Sequence, residues 1–115
     1  VKDDRIISIG YNGMPTGWDN CCEHTVQHHE LGTCTTVSKA EVLHAETNAI
    51  AKLAKSGESG LGATMFVTHA PCIDCAKLVY QSGITTVYYK NEYRSTQGLE
   101  FLNKSGVEVI HHHKL

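Results

Sequence analysis

No stretch of this sequence approaches the ~18 consecutive apolar residues that a membrane-spanning helix needs, and none pairs a charged start with an apolar core as a secretory signal does. The expectation is a cytoplasmic protein with no membrane partner. Positive charge is not in excess either. Lys and Arg total 10 against 12 Asp and Glu, for a formal net charge of -2. A protein that grips long nucleic acid normally carries a basic stripe or a strongly positive balance, so a small phosphorylated substrate fits better. Cysteine is present in an odd number, 5, and two of the five have metal-ligand spacing. That argues against a disulfide framework and for a reducing compartment. With 115 residues, 41% of them hydrophobic, the chain suits one compact domain, and no linker divides it.

An initiator methionine is also missing. Val1 to Gly10 reads as the end of a strand, a polar turn and a second strand over Ile6 to Tyr11. The expectation is a domain that starts within a hairpin, lacking an N-terminal helix and part of its first strand. Turn formers crowd Asn12 to Gly17, and a polar stretch without clean periodicity follows, so residues 12–39 read as one long loop organised by metal. Helical spacing then returns from about Val42 to Ser56, through Ala45, Ala49, Ile50, Leu53 and Ala54, with Gly57 placed as a C-terminal cap. Thr64 to Thr68 is a short β-branched strand, Pro71 opens a second helix that ends at Gly83, and a strand follows near Thr85 to Tyr89. A third helix over Thr96 to Lys104 and a strand over Val107 to Ile110 complete the pattern. Helical crossovers permit parallel pairing of consecutive strands, so the alternation implies a three-layer α/β domain.

The chemistry concentrates in two short runs, His44-Ala45-Glu46 and Pro71-Cys72-Ile73-Asp74-Cys75. His44, Cys72 and Cys75 supply three ligands of the kind zinc prefers and leave a fourth position open, as catalytic zinc sites do and structural ones do not. Glu46 is then free to move protons. Residues two apart point in different directions along a helix, so His44 and Glu46 can serve one metal only in a first turn. Cys72 and Cys75, three apart, share a face of the other helix's first turn. Two helix N-termini would thus converge on the metal, and their dipoles favour thiolates. Taken alone, Cys-x-x-Cys is often a structural knuckle and His-x-Glu means little. In this order and context they match the signature of zinc deaminases.

The resemblance widens from there. Gly10-Tyr11-Asn12-Gly13-Met14-Pro15-Thr16-Gly17, His44 to Ile50, Ala63 to Thr68 and Pro71 to Cys75 together resemble the zinc-dependent deoxycytidylate (dCMP) deaminases, phage members included, over nearly the whole chain. Cytidine and tRNA adenosine deaminases share the metal motif, but the Gly10 to Gly17 stretch and Asn48 resemble the nucleotide-specific branch. The resemblance implies a cytidine-deaminase-like α/β/α fold with a mixed sheet of about five strands, the last ones parallel. It implies conversion of dCMP to dUMP and ammonia, feeding thymidylate synthesis, with Zn²⁺ on His44, Cys72 and Cys75 and Glu46 as proton shuttle. Asn12 would touch the deoxyribose, Asn48 would belong to the substrate site, and Tyr93 would lie near the nucleotide. The bland alternatives are a turn residue for Asn12 and an exposed loop aromatic for Tyr93. Such enzymes are commonly hexamers activated by dCTP and inhibited by dTTP. The corresponding effector region here would be Gly10, Tyr11, Asn12, Gly13 and Gly17, with Lys55 as a partner.

A second group, Cys21, Cys22, His24, His28, His29 and Cys34, holds enough donors to close a structural Zn²⁺. It reads equally as reduced thiols and solvated histidines. His111, His112 and His113 receive no function. Three competing readings remain: a deaminase of another free cytosine nucleoside or nucleotide, a deaminase of an RNA base, and a non-catalytic zinc module.

Overall fold

The computed structural model describes residues 1–13, 23–28, 33–38, 44–93 and 95–112. Its elements run β1 (Glu23–His28), β2 (Thr33–Ser38), α1 (Ala45–Lys55), β3 (Thr64–His69), α2 (Ile73–Gln81), β4 (Thr86–Asn91), α3 (Gln97–Lys104) and β5 (Glu108–His111). β3, β4 and β5 form a parallel sheet in that order, with Thr64 opposite Thr86 and Thr86 opposite Glu108. β3 and β4 are each followed by a helix, α2 and α3, that carries the chain back to start the next strand in the same direction.

Alternation builds the core. Successive strand residues face opposite ways, and β4 accordingly buries Val87 and Tyr89 while leaving Lys90 outside. On α2 the buried positions Cys75, Ala76 and Val79 lie on one helical stripe, and on α3 Leu102 is buried. Val79, Val87 and Leu102 are wholly enclosed, with Ile50, Met65, Val67 and Val109 packed around them. The ends of α2 and α3 are set by glycine, whereas α1 ends at Ser56 in extended backbone. At the end of α3, Gly106 has φ +86, its N–H donates to Asn103 and the Val107 N–H donates to Leu102. That paired bonding satisfies carbonyls the helix cannot, and glycine accepts the left-handed backbone without penalty.

Two expectations change. The sheet of about five strands contains three among the described residues, because the expected strand from Ile6 to Tyr11 makes no ladder bonds to β3. A cleft of about 1010 Å³ lies between them, lined on one side by Ile6 to Tyr11 and on the other by Thr64 to Ala70. The hairpin turn itself is present: Lys2 and Arg5 pair, and Asp3 and Asp4 have φ 51 and 60, the positive values a tight two-residue hairpin turn demands. Only Val1 hydrogen-bonds to the sheet, exchanging bonds with Thr64, while Ile7 packs against the core. The remainder of the segment is fastened to α1 by side chains. The second change concerns residues 12–39, which hold an antiparallel ribbon of β1 and β2 with Glu23 opposite Ser38 and His28 opposite Thr33. Thr and Val are frequent in both segments, and such β-branched residues suit a pleated backbone.

Candidate metal and substrate site

Two helices begin at the same place. His44 stands at the N-cap of α1 with φ -70 and ψ 152, and Cys72 at the N-cap of α2 with φ -69 and ψ 170. Their backbones are nearly identical, and neither side chain caps its own helix. The His44 Nδ1 lies 3.2 Å from Cys75 Sγ and 3.7 Å from Cys72 Sγ. One ligand atom from each residue falls within 4.8 Å of the others, the one such donor cluster among the described residues. Cys75 is buried at 3% exposure, whereas His44 and Cys72 line the cleft. One imidazole and two sulfurs suit borderline-soft Zn²⁺, and a set reached from one side leaves room for a further ligand.

Glu46, in the first turn of α1, lines the cleft beside His44. Burial pushes the Cys75 thiol well above its ordinary range, and the negative charge of Glu46 pushes it in the same direction. The Thr47 hydroxyl, 3.8 Å from Cys75 Sγ, acts the other way. In the metal-free chain Cys75 therefore keeps its proton, and a metal must displace it. Zinc uptake is expected to release protons at neutral pH and to weaken as pH falls, because a thiol must ionise to bind. An indicator dye in weakly buffered solution measures this; uptake without proton release would exclude the thiols as ligands.

The other sequence-derived candidates are placed as follows. Asn12 and Tyr93 line the same cleft as Glu46 and His44. Asn12 Oδ1 accepts the Ala45 N–H at 2.8 Å. Asn48 is not part of the cleft lining; its Nδ2 donates to the Tyr11 carbonyl at 2.6 Å. Gly10 faces the side of α1, where a Cβ would run into Ala45 O and come within 2.6 Å of Ala49 N. Tyr11 and Gly13 flank Asn12, and Lys55 is exposed at the far end of α1. Cys21, Cys22, His29 and Gly17 lie outside the described residues, and His24, His28 and Cys34 are described by strand backbone alone.

Three contributors escaped the sequence reading. Thr47 could have been noticed from its place one residue after Glu46. Lys52, whose Nζ donates to the Ile9 carbonyl at 2.8 Å, reads in sequence as an ordinary solvated lysine. Gly98, at the start of α3, lies against Pro71 and Cys72, and a Cβ there would meet Pro71 O and come 3.0 Å from Cys72 C and O. No local signal marks that contact.

The sequence profile of the cytidine and deoxycytidylate deaminase zinc-binding region matches residues 1–91. ComE operon protein 2 of Bacillus subtilis is 38% identical over 112 residues, covering 95% of this chain and 55% of that protein. The deoxycytidylate deaminase of enterobacteria phage T4 is 35% identical over 144 residues, covering 95% of this chain and 74% of the phage protein. The crystal structure of dCMP deaminase from the cyanophage S-TIM5 in complex with dCMP and dUMP aligns with a TM-score of 0.82 at 44% identity, covering 97% of this chain and 76% of that one. The chain thus spans about half the length of the Bacillus relative and about three quarters of the phage ones.

Proposed function

The chain belongs to the family of zinc-binding cytidine and deoxycytidylate deaminases, and from that premise we propose that it hydrolyses dCMP to dUMP and ammonia, supplying dUMP for thymidylate synthesis. One observation carries the proposal: the His44, Cys72 and Cys75 donors converge at the wall of a cleft that Glu46 also lines. The cyanophage relative, crystallised with dCMP and dUMP, supplies the substrate class. Zinc bound to these three residues would activate a water molecule as nucleophile near neutral pH. Glu46 then does the proton work. It would take a proton from the attacking water and give it to the ring nitrogen of the base, then take the proton of the newly added hydroxyl and pass it to the departing amine, a sequence within reach of one unliganded carboxylate. Asn12 and Tyr93 bound the cleft where deoxyribose and base would lie, and Asn48 contributes by holding Tyr11.

The experiment is ammonia release from a panel of dCMP, CMP, dCTP, deoxycytidine and adenosine by the zinc-loaded protein. Turnover of dCMP above all others is the expected result. Preference for another cytosine compound would move the substrate within the family. Turnover of RNA bases would be at odds with the net charge of -2, and no turnover at all would favour a zinc module.

The proposal extends to regulation. The protein is a homo-oligomer, a hexamer, acting in the cytoplasm, with dCTP activating and dTTP inhibiting. Gly10 is already packed against α1, which leaves Tyr11, Asn12, Gly13 and Gly17 as the stretch whose backbone would approach effector phosphates; Lys55 drops out of that set, because Asn12 meets the start of α1 at Ala45 and Lys55 ends the helix. A second, structural Zn²⁺ is proposed for Cys21, Cys22, His24, His28, His29 and Cys34. Zinc content near two per chain, falling to about one after replacing Cys21, Cys22 and Cys34 with Ser, is the expected outcome. Content near one that does not change would leave the catalytic metal alone.

A further inference from the structure

A helix begins with N–H groups that have no partner inside the helix, and the N-cap side chain usually supplies one. In α1 the N-cap is His44, whose imidazole is turned to the thiols of Cys72 and Cys75 and caps nothing. The metal site has taken the position where Ser, Thr, Asp or Asn would normally sit. One of the unpartnered groups is satisfied from 33 residues away: Asn12 Oδ1 accepts the N–H of Ala45, the first residue of the helix, at 2.8 Å.

Asn12 is the last link in a strap. Ser8 Oγ donates to the Ala49 carbonyl at 2.7 Å, Lys52 Nζ to the Ile9 carbonyl at 2.8 Å, and Asn48 Nδ2 to the Tyr11 carbonyl at 2.6 Å. Between them Gly10 lets the backbone close on α1 at Ala45 and Ala49. These contacts fasten the strap along the helix, so the Asn12 side chain reaches Ala45 from a fixed base. Ala45 separates His44 from Glu46, and whatever holds its N–H holds both.

We infer that Asn12 is a positioning residue that caps the metal-bearing helix from outside, fixing the turn from which His44 meets zinc and Glu46 meets substrate. This rests on the deaminase reading for the word substrate, but the cap itself does not. A side chain that only touched the sugar would have no need to accept the Ala45 N–H.

The test compares Asn12→Asp and Asn12→Ala in the full chain by three readouts: hydrogen exchange of the Ala45 amide by NMR, zinc affinity by chelator competition, and kcat and KM for dCMP. Asn12→Asp keeps an oxygen for the Ala45 N–H and adds charge at the positive helix end, so exchange at Ala45 is expected to slow and zinc affinity to hold. Asn12→Ala is expected to speed exchange at Ala45 and to lower zinc affinity by about 10–100-fold, the range for residues that orient metal ligands. In kinetics, kcat should fall more for Ala than for Asp. The result that overturns the proposal is Ala45 exchange unmoved by either change, with KM alone raised. If Asn12→Ala does not fold, Asn12→Asp decides the matter, since exchange that is unchanged or faster contradicts the cap. A parent protein without dCMP turnover would defeat the functional proposal while leaving the exchange and zinc readouts to judge Asn12.

Discussion

Glu46→Gln is expected to retain zinc at the parental stoichiometry and to lose about 10²–10⁴-fold in turnover of dCMP, the range for a general acid-base group. The upper part of the range is favoured because this carboxylate acts at more than one proton transfer. Gln keeps the size and an acceptor oxygen but cannot carry a proton. Zinc should be retained because the donor cluster is complete without Glu46. Removing the charge also takes away one of the influences that hold the Cys75 proton in place. Metal analysis beside kinetics distinguishes the roles: zinc lost together with activity would make Glu46 a ligand.

The second large effect is expected from a residue with no chemistry of its own. Gly98→Ala puts a methyl group against Pro71 O and the Cys72 carbonyl carbon and oxygen. Those are backbone atoms, which cannot swing aside as a flexible side chain can. Either α3 moves outward or Cys72 moves toward the cleft. Overpacking of this kind costs typically about 1–3 kcal/mol in stability, and a shift of Cys72 would lower zinc affinity as well. Thermal unfolding with and without chelator separates the two. A variant as stable as the parent in both states would show that the α3 contact yields freely.

Much of this was legible in the sequence, for physical reasons that differ by element. α1, β3, α2, β4, α3 and β5 fall within a few residues of the expected positions because each carries a clear helical or alternating pattern, and left-handed Gly83 and Gly106 follow α2 and α3; the expected Gly57 cap is not made, since α1 ends at Ser56 in extended backbone. The metal cluster was legible because the spacing within each short run fixes it in a first helical turn. Ile6 to Tyr11 was misleading. It has strand composition, yet composition cannot say whether a ladder partner is present, and here the segment is held by Ser8, Asn48 and Lys52 against α1. Thr25, Val26, Thr33, Thr35, Thr36 and Val37 signalled the ribbon of β1 and β2, but the cysteines and histidines among them drew attention to metal instead. Gly98 and the Asn12 cap join segments distant in sequence, and no local pattern records such contacts.

The matching placement of His44 and Cys72 at the starts of their helices has a mechanical consequence. Each ligand sits at the pivot end of a rod. α1 has 11 residues, so Lys55 lies roughly 16 Å along the axis from His44 at ~1.5 Å per residue. Swinging that far end through several ångströms turns the helix about its ligand and barely displaces it, whereas sliding the rod lengthwise carries His44 the full distance. A displacement at Lys55 would therefore reach His44 chiefly when directed along the helix axis.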